Sequence, residues 1–128
     1  MRFKPNNTYD GMPCSYVGTG CAYEDIYNKP FLEPLPPNLK EDGWSTLENT
    51  NKYIRNIFSG STKAKIRKKV YYKRSERITL REFLEANTEK CLVCVYGHFI
   101  YVNGKDYWSF FDNEDDKVVC VWYIEIRK

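Results

Sequence analysis

Glutamine is absent from this 128-residue chain and histidine occurs once, as His98. Apolar runs such as Cys91 to Tyr96 are far too short to span a bilayer. The stretch Met1 to Thr8 has no apolar core of the kind that marks a secretory leader. The expectation is therefore a soluble, cytoplasmic protein with no membrane partner. No G-x-G-x-x-G, Walker loop, H-E-x-x-H or G-x-S-x-G occurs, so the common nucleotide, metalloprotease and serine-hydrolase signatures are missing. With a single imidazole, a zinc site built on the Cys91-x-x-Cys94 spacing would also need Cys14 or Cys21. On a strand, Cys91 and Cys94 face opposite sides. No metal and no cofactor are expected.

Five cysteines form an odd set without a regular framework, which points to free thiols and leaves room for a reactive one. At 42% hydrophobic and 29% charged residues the composition is globular, and the length suits one domain over residues 1–128. The net charge of +3 is unevenly spread. Lys63, Lys65, Arg67, Lys68, Lys69, Lys73, Arg74 and Arg77 stand against Glu76 alone in residues 63–77, eight positive charges against one negative, so this stretch holds +7 and the remainder −4. A solvated strand face or loop is the plain reading, and a polyanion footprint is the functional one.

Asp10-Gly11 marks a turn, and Pro13 to Asn28 carries Cys14, Val17, Cys21, Glu24 and Asp25 at near-helical spacing, ended by Lys29-Pro30. Gly18 and Gly20 either let this helix pack closely on a sheet or mark a later start near Thr19. Four prolines from Pro30 to Pro37 predict an extended segment running to Gly43. Ser45-Thr46-Leu47-Glu48 then reads as a capping box for a helix with Leu47, Asn51, Ile54, Ile57 and Phe58 on one stripe, stopping at Ser59-Gly60-Ser61. Ile66 to Tyr72 reads as a strand, and Thr79-Leu80-Arg81-Glu82 caps a short helix ending near Asn87. Strands follow at residues 91–96 and 98–102, with an Asn103-Gly104 hairpin returning through Asp106 to Phe111. A last strand, Val118 to Ile126, follows the acidic turn at residues 112–116.

His98 shares a strand face with Ile100 and Val102. If the hairpin is centred on Asn103-Gly104, His98 lies nearly opposite Ser109, and Asp112 or Asn113 stands just beyond the strand end, where it could orient the ring. A base of this kind needs a thiol, and a cysteine in the first turn of a helix is well suited to one. Cys14 fits that place behind Pro13, with Asp10 as a nearby cap, and Cys21 fits it if the helix starts late. A structural histidine among buried core cysteines is the plain alternative. The late aromatics, Tyr107, Trp108, Phe110, Phe111, Trp122 and Tyr123, read as core or rim residues of the sheet, with a nucleobase or peptide platform as the lesser alternative.

The order of these residues is familiar: a cysteine opening the N-terminal helix, Thr-Leu-Arg-Glu-Phe-Leu, then Val-Tyr-Gly-His-Phe-Ile-Tyr-Val-Asn-Gly and Tyr-Trp-Ser-Phe-Phe-Asp-Asn. The chain resembles small papain-like cysteine peptidases of the bacteriocin-processing type, including short members from phages and bacteria, best over residues 78–124. The resemblance implies an α+β fold with N-terminal helices packed on a C-terminal antiparallel sheet. It also implies a thiol hydrolase acting on a peptide, isopeptide or other acyl bond of a peptide or protein substrate, in the host cytoplasm if phage-encoded. The nucleophile, base and orienting roles fall on Cys14, His98 and Asp112, with Cys21 and Asn113 as alternatives. Papain relatives place an oxyanion-binding glutamine before the nucleophile; here Asn6, Asn7 or backbone N–H groups would take its place. Two rival readings keep the fold without catalysis. One is a module engaging a host protein or nucleic acid through residues 63–77, and the other a structural or inhibitory protein.

Overall fold

The computed structural model describes residues 1–32, 47–59, 64–95 and 98–126. The architecture is α+β: three helices pack on a six-stranded mixed sheet. In chain order the elements are β1 (Arg2–Phe3), α1 (Cys14–Tyr27), α2 (Leu47–Ser59), β2 (Ala64–Val70), α3 (Leu80–Ala86), β3 (Lys90–Val95), β4 (His98–Asn103), β5 (Asp106–Trp108) and β6 (Val118–Ile126). The strands lie in the order β1-β5-β4-β3-β6-β2. The expectation of a purely antiparallel sheet is corrected at one edge, where β1 pairs parallel to β5 through Arg2↔Tyr107 and Phe3↔Trp108. Two residues carry no readable alternation, and what ties them down is backbone bonding from Tyr107 N to Met1 O and from Ser109 N to Phe3 O.

α1 begins at Cys14, the earlier of the two starts the sequence allows. Its N-cap is Pro13, whose side chain makes no capping bond, while the expected cap Asp10 instead closes a 3₁₀ turn over Asn7–Tyr9. The helix ends at Asn28, the only non-glycine residue with positive φ among those described (54°). Its residues 15–22 are all buried, so one face packs on the sheet and the opposite face lies under Tyr9 and Phe31. The two glycines make this possible. A Cβ on Gly18 would sit 2.8 Å from Phe99 Cδ1 on β4, and one on Gly20 would sit 2.5 Å from the hydroxyl of the buried Tyr9. They lower helix propensity, and close packing is what they provide in return.

Alternation along the strands divides the core into two layers. Leu92, Phe99, Tyr101, Cys120, Trp122 and Ile124 face α1 and α2. Cys91, Val93, Val95, Ile100, Val102, Val118 and Val121 face the other way, onto Leu80, Phe83 and Leu84 of α3. α3 starts in a complete capping box: Glu82 N donates to Thr79 Oγ1 and Thr79 N donates to Glu82 Oε1. The Ser45-Thr46 half of the other expected capping box and the stretch 33–43 lie outside the described residues, but the helix that box introduces is present and buries Ile54, Ile57 and Phe58.

The hairpin between β4 and β5 differs from expectation in register. Its two loop residues are Gly104, at φ 62°, and Lys105, flanked by the pair Asn103↔Asp106. Moving the turn by one residue moves the register by two, so every side chain keeps its face. Asn87 braces this corner, donating to Glu89 O and Gly104 O at 2.8 Å each.

Candidate functional site

The close seating of α1 on β4 brings the start of the helix to the start of the strand. Cys14 and His98 border one cavity of about 180 Å³, walled otherwise by Met12, Val17, Phe99, Trp108 and Phe111 among others. Cys14 is half-buried and free of any disulfide. Its N–H and that of Ser15 precede the first intrahelical bond, Val17 N to Pro13 O at 3.0 Å, so donors without helical partners stand beside the sulfur. No hydrogen bond joins Cys14 to His98 among the described residues; they share a cavity, not a contact of that kind.

The imidazole is held from behind. His98 Nε2 lies 3.2 Å from Ser109 Oγ, which lies 2.7 Å from Asn113 Oδ1, and Asn113 Nδ2 lies 2.8 Å from Asp116 Oδ2. Phe111 N also donates to Ser109 Oγ at 3.1 Å. The direction of the protons follows from the far end. A carboxylate only accepts, so Asn113 must turn its amide nitrogen to Asp116 and its oxygen to Ser109. The serine proton is then committed to Asn113, and its oxygen is left to accept from His98 Nε2–H. The ring is thus the Nε2–H tautomer, with the Nδ1 lone pair available. Ser109 and Asn113 are 4% and 8% exposed, so the relay is shielded from water, which strengthens it. Burial pushes the His98 pKa below 6.5, partly offset by the charge of Asp116.

The expected orienting residues separate here. Asp112 is exposed; its Oδ1 accepts from Glu114 N at 3.1 Å and from the Tyr107 hydroxyl at 3.5 Å, with no hydrogen bond to His98 among the described residues. Asn113 reaches the ring only through Ser109. The expected hairpin centre sets this serine opposite the histidine without giving it a role; in the observed register residue 111 has that place, and Ser109 reaches the ring from just beyond the end of β5, with an amide four residues on.

Cys21 belongs to a different environment. It is buried, with Glu24 and Asp25 nearby, and burial followed by those carboxylates pushes its thiol up to about 12. Of the two asparagines expected as oxyanion donors, Asn6 accepts from Thr8 N and borders a second pocket beside Cys21 and Glu24, while Asn7 is exposed in the 3₁₀ turn. Cys91 and Cys94 do lie on opposite faces, in the two different core layers. Among the described residues no group of three or more His, Cys, Asp or Glu side chains could hold a metal ion. No helix there is long and apolar enough to cross a membrane.

The basic stretch forms the far edge of the sheet. Lys65, Arg67, Lys68 and Lys69 are exposed on β2, and Lys73 and Arg74 are exposed in the following turn. Lys63 lies outside the described residues. Arg67 is engaged, pairing with Glu89 at 3.1 Å and covering the Tyr123 ring at 4.5 Å. Comparison with models of known protein families, with curated proteins and with solved structures finds no match to this chain.

Proposed function

We propose that the chain is a papain-like thiol hydrolase acting on a peptide, isopeptide or other acyl bond of a peptide or protein, with Cys14 as nucleophile and His98 as base. One observation carries this reading: a half-buried thiol at the start of a helix and a tautomer-fixed imidazole open onto the same small cavity. In the reaction His98 Nδ1 takes the proton of Cys14 Sγ, and the sulfur attacks the substrate carbonyl carbon. The carbonyl oxygen takes up negative charge facing the N–H groups of Cys14 and Ser15. The imidazolium then protonates the leaving amine, the C–N bond breaks, and water activated by the same nitrogen releases the acyl group from sulfur. Ser109, relayed through Asn113 to Asp116, does the orienting work first expected of Asp112, and the anionic end stabilises the imidazolium while it exists.

The test is labelling with a thiol-directed electrophile at neutral pH. One fast-reacting site is expected, lost in Cys14→Ala, retained in Cys21→Ala and slowed in His98→Ala. Fast labelling that follows Cys21, or a Cys14 rate indifferent to His98, sinks the assignment. The rival reading, a non-catalytic module engaging a host protein or nucleic acid, draws support from the exposed basic edge at β2; salt-sensitive polyanion binding that survives Cys14→Ala would favour it.

A further inference from the structure

The β2 edge is four strands away from β5, at the opposite side of the sheet from the cavity, so whatever it binds does not compete for Cys14. Along β2, Lys65, Arg67 and Lys69 share the face that carries Tyr123 of β6, since Arg67 pairs in register with Tyr123. From Lys65 to Lys69 the row runs about 13 Å at the usual strand rise. The chain then places Tyr71 and Tyr72 directly before Lys73 and Arg74. Tyr72 is 80% exposed, an aromatic ring left in solvent amid cations. Next to it, Tyr71 and Tyr123 border a cleft of about 200 Å³ also lined by Glu89, but their rings are already covered by Lys69 at 5.0 Å and Arg67 at 4.5 Å, which leaves Tyr72 as the open ring. Charge alone fits any polyanion. Aromatic faces interleaved with the charge fit one whose uncharged parts are flat rings, because every nucleobase can stack on tyrosine. A duplex buries its bases and has no use for Tyr72, and an acidic peptide lacks the rings.

We infer that this edge binds single-stranded nucleic acid, its phosphates along Lys65, Lys69, Lys73 and Arg74 and its bases on Tyr72. This rests on the basic stretch being a polyanion surface and names which polyanion. Lysines also guard sheet edges against pairing, and on that account alone no ligand is needed.

Fluorescence anisotropy of the full chain with a labelled 20-mer of deoxythymidine, a matched duplex and labelled polyglutamate separates the cases. With these four cations engaged, log K for the single strand should fall against log salt with a slope of about −2.8, roughly 50-fold between 50 and 200 mM. Tyr72→Ala should weaken the 20-mer roughly 5-fold to 100-fold at unchanged slope. Lys69→Ser should flatten the slope by about 0.7. Circular dichroism establishes that both variants stay folded. The inference falls if duplex or polyglutamate binds as well as the 20-mer, or if Tyr72→Ala makes no difference; the polyanion surface then stands without base recognition. If nothing binds at 50 mM salt, both fall and the lysines are edge protection only.

Discussion

Gly18→Ala puts opposing effects on one residue, and their sign reports how α1 is seated. Replacing glycine by alanine inside a helix ordinarily stabilises by about 1 kcal/mol. Here the new methyl would meet Phe99 Cδ1 at 2.8 Å and Phe99 O at 3.3 Å, against an ordinary contact of 3.4 Å or more. Neither atom yields freely. The carbonyl belongs to β4, and the ring is wedged against Trp122 at a centroid distance of 5.5 Å. Overpacking of this sort costs about 1–3 kcal/mol, so the net change is a loss of roughly 0–2 kcal/mol, or up to about 8 °C in Tm for a chain this size. Since Phe99 and Cys14 wall the same cavity, lifting α1 off β4 also disturbs the approach of sulfur to imidazole, and electrophile labelling of Cys14 should slow. Urea unfolding with labelling measured on the same sample reads both. If Gly18→Ala gains the full helix-propensity benefit and labels at the wild-type rate, the tight helix–strand contact is absent and the site geometry argued from it is wrong.

Ser109→Ala strands the buried Asn113 Oδ1 and removes the part-buried bonds to Phe111 N and His98 Nε2, so a loss of about 1–3 kcal/mol is expected in urea unfolding, with nitrogen NMR of the single imidazole showing the Nε2–H tautomer no longer enforced. Because burial lowers the His98 pKa, the unfolded chain takes up a proton near pH 6.5 that the folded chain refuses until lower pH. Stability should therefore be full above 6.5 and decline as pH drops below it, by more in wild type than in His98→Asn; equal acid slopes would refute this. At pH 8 a disulfide reagent should find one fast thiol, Cys14, because burial pushes Cys94 up to about 11, Cys21 and Cys120 up to about 12, and Cys91 higher still; two or more fast thiols in the folded protein contradict the packing. Asn87→Ala removes two 2.8 Å bonds that hold the β4–β5 corner, and thermal unfolding should register a loss of about 1–3 kcal/mol.

What was legible in the sequence was local. Thr79 and Glu82 announce α3 because a capping box closes within four residues, and Pro13 and Asn28 bracket α1 because each sits at a backbone position suited to it. The faces of Phe99, Ile100, Tyr101 and Val102 were legible too, since alternation survives a register error of two; the opening of His98 onto the α1 cavity at the start of β4 was not. Three features were not. β1 is held by pairing with residues more than a hundred positions away, and no local pattern specifies that. The turn at Gly104-Lys105 and the turn expected at Asn103-Gly104 both use Gly104, and only the strands decide between them. The path from His98 through Ser109 and Asn113 to Asp116 depends on how the chain folds after β5 ends, where periodicity has stopped; Asp112, one residue away, was preferred to Asn113.

α1 lies at residues 14–27 and its platform β4 at residues 98–103, with Asp116 later still. During synthesis, then, the thiol is made long before the ring that would activate it and before the carboxylate that sets the ring. A ribosome-bound or truncated chain ending ahead of residue 98 holds a sulfur with no base at all. On the proposed mechanism, the thiol, the base and the relay that orients the base are complete only once residue 116 has been added.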